Sequence, residues 1–143
     1  MNKKIFQKSI LTLVLLFIVP SLVWAHGEDK YGPHKGFVRM PGAFHTELVL
    51  IGKNRLKVYL LDIEWKNPTN EKSSLEVTYN NQVKALCKPE KDFYSCSFPK
   101  SVNLNKKGEL KLSASRNEQK GSEALYPLPL KLEIPDESHN AHH

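Results

Sequence analysis

A chain of 143 residues with 21 Lys+Arg, 15 Asp+Glu and 40% hydrophobic residues has room for one ordinary domain, not for a barrel or doubly wound enzyme. The apolar fraction is too high, and the charge too mixed, for disorder. Basic and acidic residues alternate with no Lys/Arg block and no stacking series of aromatics, which argues against nucleic acid as a partner.

In chain order the first element is a leader. Lys3, Lys4 and Lys8 stand before the nearly unbroken hydrophobic run Ile10 to Val19, Pro20 ends it, and Val23-Trp24-Ala25 offers compact residues to a signal peptidase. This is the anatomy of a secretory signal at 1–25, cleaved after Ala25. Ile10 to Ala25 is 16 residues with a proline among them, short of the roughly 20 that a spanning helix needs. The mature form is therefore expected to have no membrane partner. Asn67-Pro68-Thr69, the one candidate glycosylation triplet, is blocked by its proline, which fits a bacterial periplasm. Three of the basic residues and none of the acidic ones lie in the leader, so its removal leaves 118 residues with a net charge of +3.

Residues 26–35 and 135–143 are polar, and read as a flexible N-terminal segment and a His-rich tail around a domain at 36–134. Within that domain the hydrophobic period is two. Phe44, Thr46, Leu48 and Leu50 alternate with His45, Glu47, Val49 and Ile51; after a turn at Gly52-Lys53-Asn54, Leu56, Val58 and Leu60 alternate with Lys57, Tyr59 and Leu61. Further runs are Leu75-Val77-Tyr79, Val83-Ala85-Cys87, Tyr94-Cys96-Phe98, Leu110-Leu112-Ala114 and Leu128-Leu130-Leu132-Ile134. Seven or eight short strands separated by Asn-, Pro- and Gly-bearing turns predict an all-β chain, an antiparallel, immunoglobulin-like β-sandwich. Asn80-Asn81 predicts a tight hairpin, since asparagine tolerates positive φ. Pro127 and Pro129 place the last run at a sheet edge, because proline cannot donate to a ladder.

Cys87 and Cys96 are an even pair in an exported chain, with eight residues between them and each in a β-like run. A disulfide across a hairpin is expected. Closing a loop of about ten residues contributes roughly 3 kcal/mol in the chain-entropy model.

The six histidines fall at the two ends: His26, His34 and His45, then His139, His142 and His143. Processing after Ala25 would make His26 the first residue, whose amine and Nδ1 can together chelate one ion. Copper(II) favours such nitrogen sites, with zinc as runner-up. His45 and Glu47, two apart on a strand, share a face, and form either a pair of ligands, a ligand with its orienting carboxylate, or an ordinary hydrogen-bonded pair. Met40 suits copper(I) or plain packing.

Gly32-Pro33-His34-Lys35-Gly36, Phe44-His45-Thr46-Glu47-Leu48 and Tyr59-Leu60-Leu61-Asp62 together resemble a small exported β-sandwich module associated with bacterial heavy-metal efflux, and more loosely the periplasmic copper-resistance carriers. The resemblance covers His26 to Asp62. It implies a metal site at His34, Glu47 and His26, with Lys35 standing where the module has glycine.

The expected ligand set is therefore His26, His34, His45 and Glu47, and the expected function is buffering a copper ion or delivering it to an efflux or acceptor protein. Ligation needs deprotonated imidazoles, so affinity should fall as pH drops through about 6.5. No catalytic set is assembled from motif context. Two other readings stand beside this one: an exported interaction module without metal, and a copper-dependent oxidative enzyme, which needs an open face lined with aromatics.

Overall fold

The computed structural model describes residue 28 and residues 30–132. The leader, His26 and the histidines of the tail lie outside the described residues. Those described form ten antiparallel strands and no helix: β1 (Phe37–Arg39), β2 (His45–Gly52), β3 (Arg55–Leu61), β4 (Ser74–Tyr79), β5 (Val83–Lys84), β6 (Leu86–Glu90), β7 (Phe93–Ser97), β8 (Gly108–Arg116), β9 (Gln119–Lys120) and β10 (Ala124–Leu128). One sheet runs β1-β2-β3-β7-β6; the other runs β10-β8-β4-β5, with β9 added to β8.

The chain is an all-β sandwich. Leu48, Leu56, Val58 and Leu60 from the first sheet meet Val77, Leu110, Leu112 and Tyr126 from the second in one buried core. Each buried aliphatic or aromatic side chain contributes about 1.5–3 kcal/mol. The expected run Val83-Ala85-Cys87 divides at Ala85, which raises the strand count. β5 pairs with β4 in the second sheet and β6 with β7 in the first, while the Ala85 N–H bonds Val77 O at 2.9 Å. The chain crosses between sheets there, which a pattern of period two does not reveal.

Asn80 and Asn81 sit at φ 49 and 55, as a primed hairpin turn requires. Cys87 and Cys96 face each other across the β6–β7 ladder and are joined as a disulfide. The edge position of the proline strand holds, but the strand lies earlier than the alternation suggested. β10 ends at Leu128, and Pro127 within it is exposed and pairs only with β8.

Where the sheets meet, Tyr126 is completely buried. Its hydroxyl bonds Thr46 Oγ1 at 2.8 Å and donates toward the carbonyls of Thr46 at 3.0 Å and Phe37 at 3.4 Å. The Arg39 guanidinium lies 4.7 Å from its ring centroid and donates to Leu125 O at 3.1 Å. Burial drives the Tyr126 phenol far above its ordinary value; the Thr46 hydrogen bond and the Arg39 charge only partly oppose this. The neutral phenol is therefore favoured in the folded chain. Its contribution is complete below the unfolded tyrosine pKa and is lost as pH rises above it, through about pH 10. Tyr126→Phe should cost about 1–3 kcal/mol at neutral pH in urea melts, and its deficit relative to wild type should shrink on raising the pH beyond about 10.

Candidate functional site

The outer face of the first sheet carries the site. Val38, Glu47 and Tyr59 lie side by side across β1, β2 and β3, and Glu47 has no exposed surface. An ionised carboxylate in such a place is unfavourable by several kcal/mol unless donors surround it. The donors come from residues 32–36, which fold back over the strand. Glu47 Oε1 accepts the His34 N–H at 2.8 Å and the Gly36 N–H at 3.0 Å; Oε2 lies 2.7 Å from His34 Nδ1.

The loop can approach so closely because of its composition. It is closed by the Lys35 N–H on Gly32 O and the Gly32 N–H on Gly36 O, both at 2.9 Å. A Cβ on Gly32 would run into the Glu47 carboxylate, and one on Gly36 would sit 2.7 Å from Leu48 O. Lys35 takes φ 61, a left-handed conformation that costs a non-glycine residue about 1–2 kcal/mol.

A carboxylate can only accept, so His34 Nδ1 carries a proton, and in the neutral imidazole the lone pair is then on Nε2. The ring is stacked on Tyr59 with centroids 3.7 Å apart and planes 3° from parallel, and the side chain is 32% exposed. Burial, then the charges of Asp92 and Glu47, hold the Tyr59 phenol above its ordinary value. Both Glu47 oxygens are engaged with the loop, Oε1 by two N–H groups and Oε2 by the imidazole.

His45 is placed differently. It shares a face of β2 with Glu47, as the spacing of two predicts, yet Glu47 bonds His34 instead. The Trp65 Nε1–H donates to His45 Nε2 at 3.1 Å, so Nδ1 carries the proton and donates to Asp62 O at 3.0 Å. Both nitrogens are engaged, and the residue is 3% exposed. His45 thus fastens the turn after β3 to the start of β2. The Asp62 carboxylate organises that turn by accepting the N–H groups of Glu64 and Lys66 at 2.9 and 2.8 Å and the Asn67 amide at 2.8 Å.

Among the described residues no group of three or more His, Cys, Asp or Glu is poised around a common point. The structure brings His34 to Glu47 and keeps His45 with its own partners, while His26 lies outside the described residues. Met40 lies past β1, 38% exposed. Tyr59, Gly32 and Gly36 complete the arrangement without having been singled out as site residues. Their signals in the sequence are the glycines on either side of Pro33-His34-Lys35 and the Tyr59-Leu60-Leu61-Asp62 segment. The His34 ring lies on Tyr59, Lys30 Nζ is 5.3 Å over Trp65, and Lys57 Nζ is 4.7 Å over Phe93.

Comparison with protein-family models, with curated proteins and with solved structures finds no match to this chain.

Two predictions follow from this geometry. Glu47→Gln keeps the shape but removes the charged acceptor, and should lower stability by about 1–3 kcal/mol in urea melts and release His34 from the Nδ1–H tautomer, read by nitrogen-15 NMR of the imidazole. The second concerns acid. Backbone N–H groups, Lys66 first, hold the Asp62 carboxyl below the usual carboxylate range, with the Asn67 amide and the Arg116 charge adding to this. Its contribution is full above the unfolded pKa and disappears as pH falls through the lower folded value. Asp62→Asn should therefore be less stable than wild type at neutral pH, with the gap closing below about pH 4; Trp65 fluorescence in denaturant melts reads it.

Proposed function

We propose that this chain is an exported, periplasmic metal-handling protein that buffers a copper ion, or secondarily zinc, and passes it to an efflux or acceptor protein. The observation that carries the reading is the His34 imidazole: Nδ1 bonded to a buried carboxylate, ring packed flat on Tyr59, and the side chain 32% exposed. Imidazoles that ligate metals characteristically donate their other ring N–H to a carboxylate, which fixes the tautomer and raises ligand basicity. Glu47 fills that orienting role and His34 is the ligand. His26, as a processed first residue, supplies its amine and imidazole, and the resemblance of the Gly32-Pro33-His34 segment to heavy-metal efflux modules points the same way. His45 is left out of the ligand set because both of its nitrogens are engaged.

The same hydrogen bonds also suit a second reading, in which Glu47 merely clasps the loop of an interaction module. Copper(II) titration of the chain beginning at His26 separates the two. The metal reading expects binding that His34→Ala weakens strongly, Glu47→Gln weakens by about 10–100-fold, and one alanine placed before His26 also weakens. Binding indifferent to His34 would leave only the clasp.

A further inference from the structure

The fold sorts charges that the sequence intersperses. The β2–β3 turn and the β7–β8 connection meet at one end of the sandwich, where the Leu104 N–H bonds Lys53 O at 2.8 Å, the Phe98 N–H bonds Asn54 O at 2.9 Å, and the Asn54 amide bonds Phe98 O at 2.7 Å. Neither residues 48–61 nor residues 93–108 contain a carboxylate. This end gathers Lys53, Arg55, Lys100, Lys106 and Lys107, all exposed. Lys57 and Lys88 join them across the next row of the first sheet, where both are in register with Ser95. Glu109 borders the group at the start of β8, and Glu90 follows Lys88 by two residues on the same face of β6. None of these seven cations makes an ion pair among the described residues, whereas on the second sheet Lys84 meets Glu76 at 3.0 Å and Lys111 meets Glu123 at 3.5 Å.

Two large apolar side chains project among the cations: Ile51, 40% exposed, and Leu86, 62% exposed. Arg55 and Leu86 are both in register with Ser97, and Ile51 lies beside Arg55 at the irregular end of the β2–β3 ladder. The two apolar groups are thus about three strand spacings, ~14 Å, apart on one face. Five of the cations sit on turns and at a strand end and two within strands, so the charge is spread over one end and the adjoining sheet face. That matches a plane of anionic headgroups, which needs no shaped pocket and receives apolar side chains between its lipids.

We infer that this basic end, with Ile51 and Leu86, docks the protein peripherally on an anionic phospholipid surface. This departs from the expectation of a mature chain with no membrane contact, and it concerns adsorption, not spanning. The His34 ring lies over the row of Glu47 and Tyr59, four residues along β2 and about 13 Å from Ile51, so docking leaves it accessible. The inference does not depend on the metal reading and is tested without metal.

The processed chain beginning at His26, which holds all ten strands, is sedimented with vesicles of phosphatidylglycerol and phosphatidylcholine, and with phosphatidylcholine alone. Binding is expected only to the former, and should weaken with added salt. Each neutralised cation at the surface is worth about fivefold, so Lys53→Gln, Arg55→Gln and Lys106→Gln together should weaken binding on the order of 100-fold. Lys84→Gln, Lys111→Gln and Lys120→Gln, the same change in net charge on the second sheet, should leave it nearly unchanged. Ile51→Ser with Leu86→Ser should weaken it about tenfold. Equal losses from the two triple variants, equal binding to both vesicles, or binding to soluble polyglutamate with none to vesicles would overturn the inference, the last in favour of an acidic protein partner. Unchanged thermal melts confirm that the variants, all at the surface, remain folded.

Discussion

The Glu47 carboxylate governs how the N-terminal part of the chain is built. A buried ionised carboxyl without partners would destabilise the fold by several kcal/mol, and this one is matched by three N–H donors, all from residues 34 and 36. The loop and the carboxylate therefore require each other. With residues 32–36 lifted away, Glu47 would lack all three; without Glu47, the loop would have no anchor on β2. Closing the pair also covers Tyr59, sets the entry into β1, and turns a polar segment into a lid on the first sheet. The glycines at 32 and 36 are part of the same arrangement, since side chains there would hold the donors out of range.

His34 and His45 are the same residue type in the same neighbourhood, and their roles divide by what each ring nitrogen faces. His34 gives Nδ1 to a carboxylate and keeps Nε2 free of any partner among the described residues. His45 gives Nδ1 to a carbonyl and receives an indole N–H at Nε2. A hydrogen-bonded Nδ1 is common to both rings. They differ at the second nitrogen, which in His45 is taken by Trp65, a residue whose own backbone sits at φ 64.

The two-layer fold could be read from the sequence because alternation is a property of neighbouring residues. Leu56, Val58 and Leu60 are buried on the predicted face, and Cys87 and Cys96 pair as their setting implied. The site was only half legible. Spacing of two does put His45 and Glu47 on one side of β2, but their partners come from elsewhere: His34 lies 13 residues before Glu47, and Trp65 lies 20 after His45. Whether a strand face is covered depends on which loops fold over it, and alternation carries no term for that. The same holds at Ala85, where a run of apparently uniform period passes from one sheet to the other.

Charge follows a rule of its own in such a fold. Antiparallel strands send successive turns to opposite ends, so a net charge that looks evenly spread along the chain is partitioned by the parity of its loops. The turns after β2 and β7 share an end and bring lysines without carboxylates. The turns after β3, β6 and β8 share the other, where Asp62, Glu64, Glu71, Asp92 and Glu118 accompany Lys66, Lys72 and Lys91. A scan for blocks of like charge misses this separation, because no single stretch is basic enough to stand out. The potential outside the molecule is set by which loops become neighbours, and in this chain the hydrogen bonds from Leu104 to Lys53 and from Phe98 to Asn54 make neighbours of two acid-free segments. A chain whose basic and acidic residues alternate along its length can therefore present one strongly cationic end.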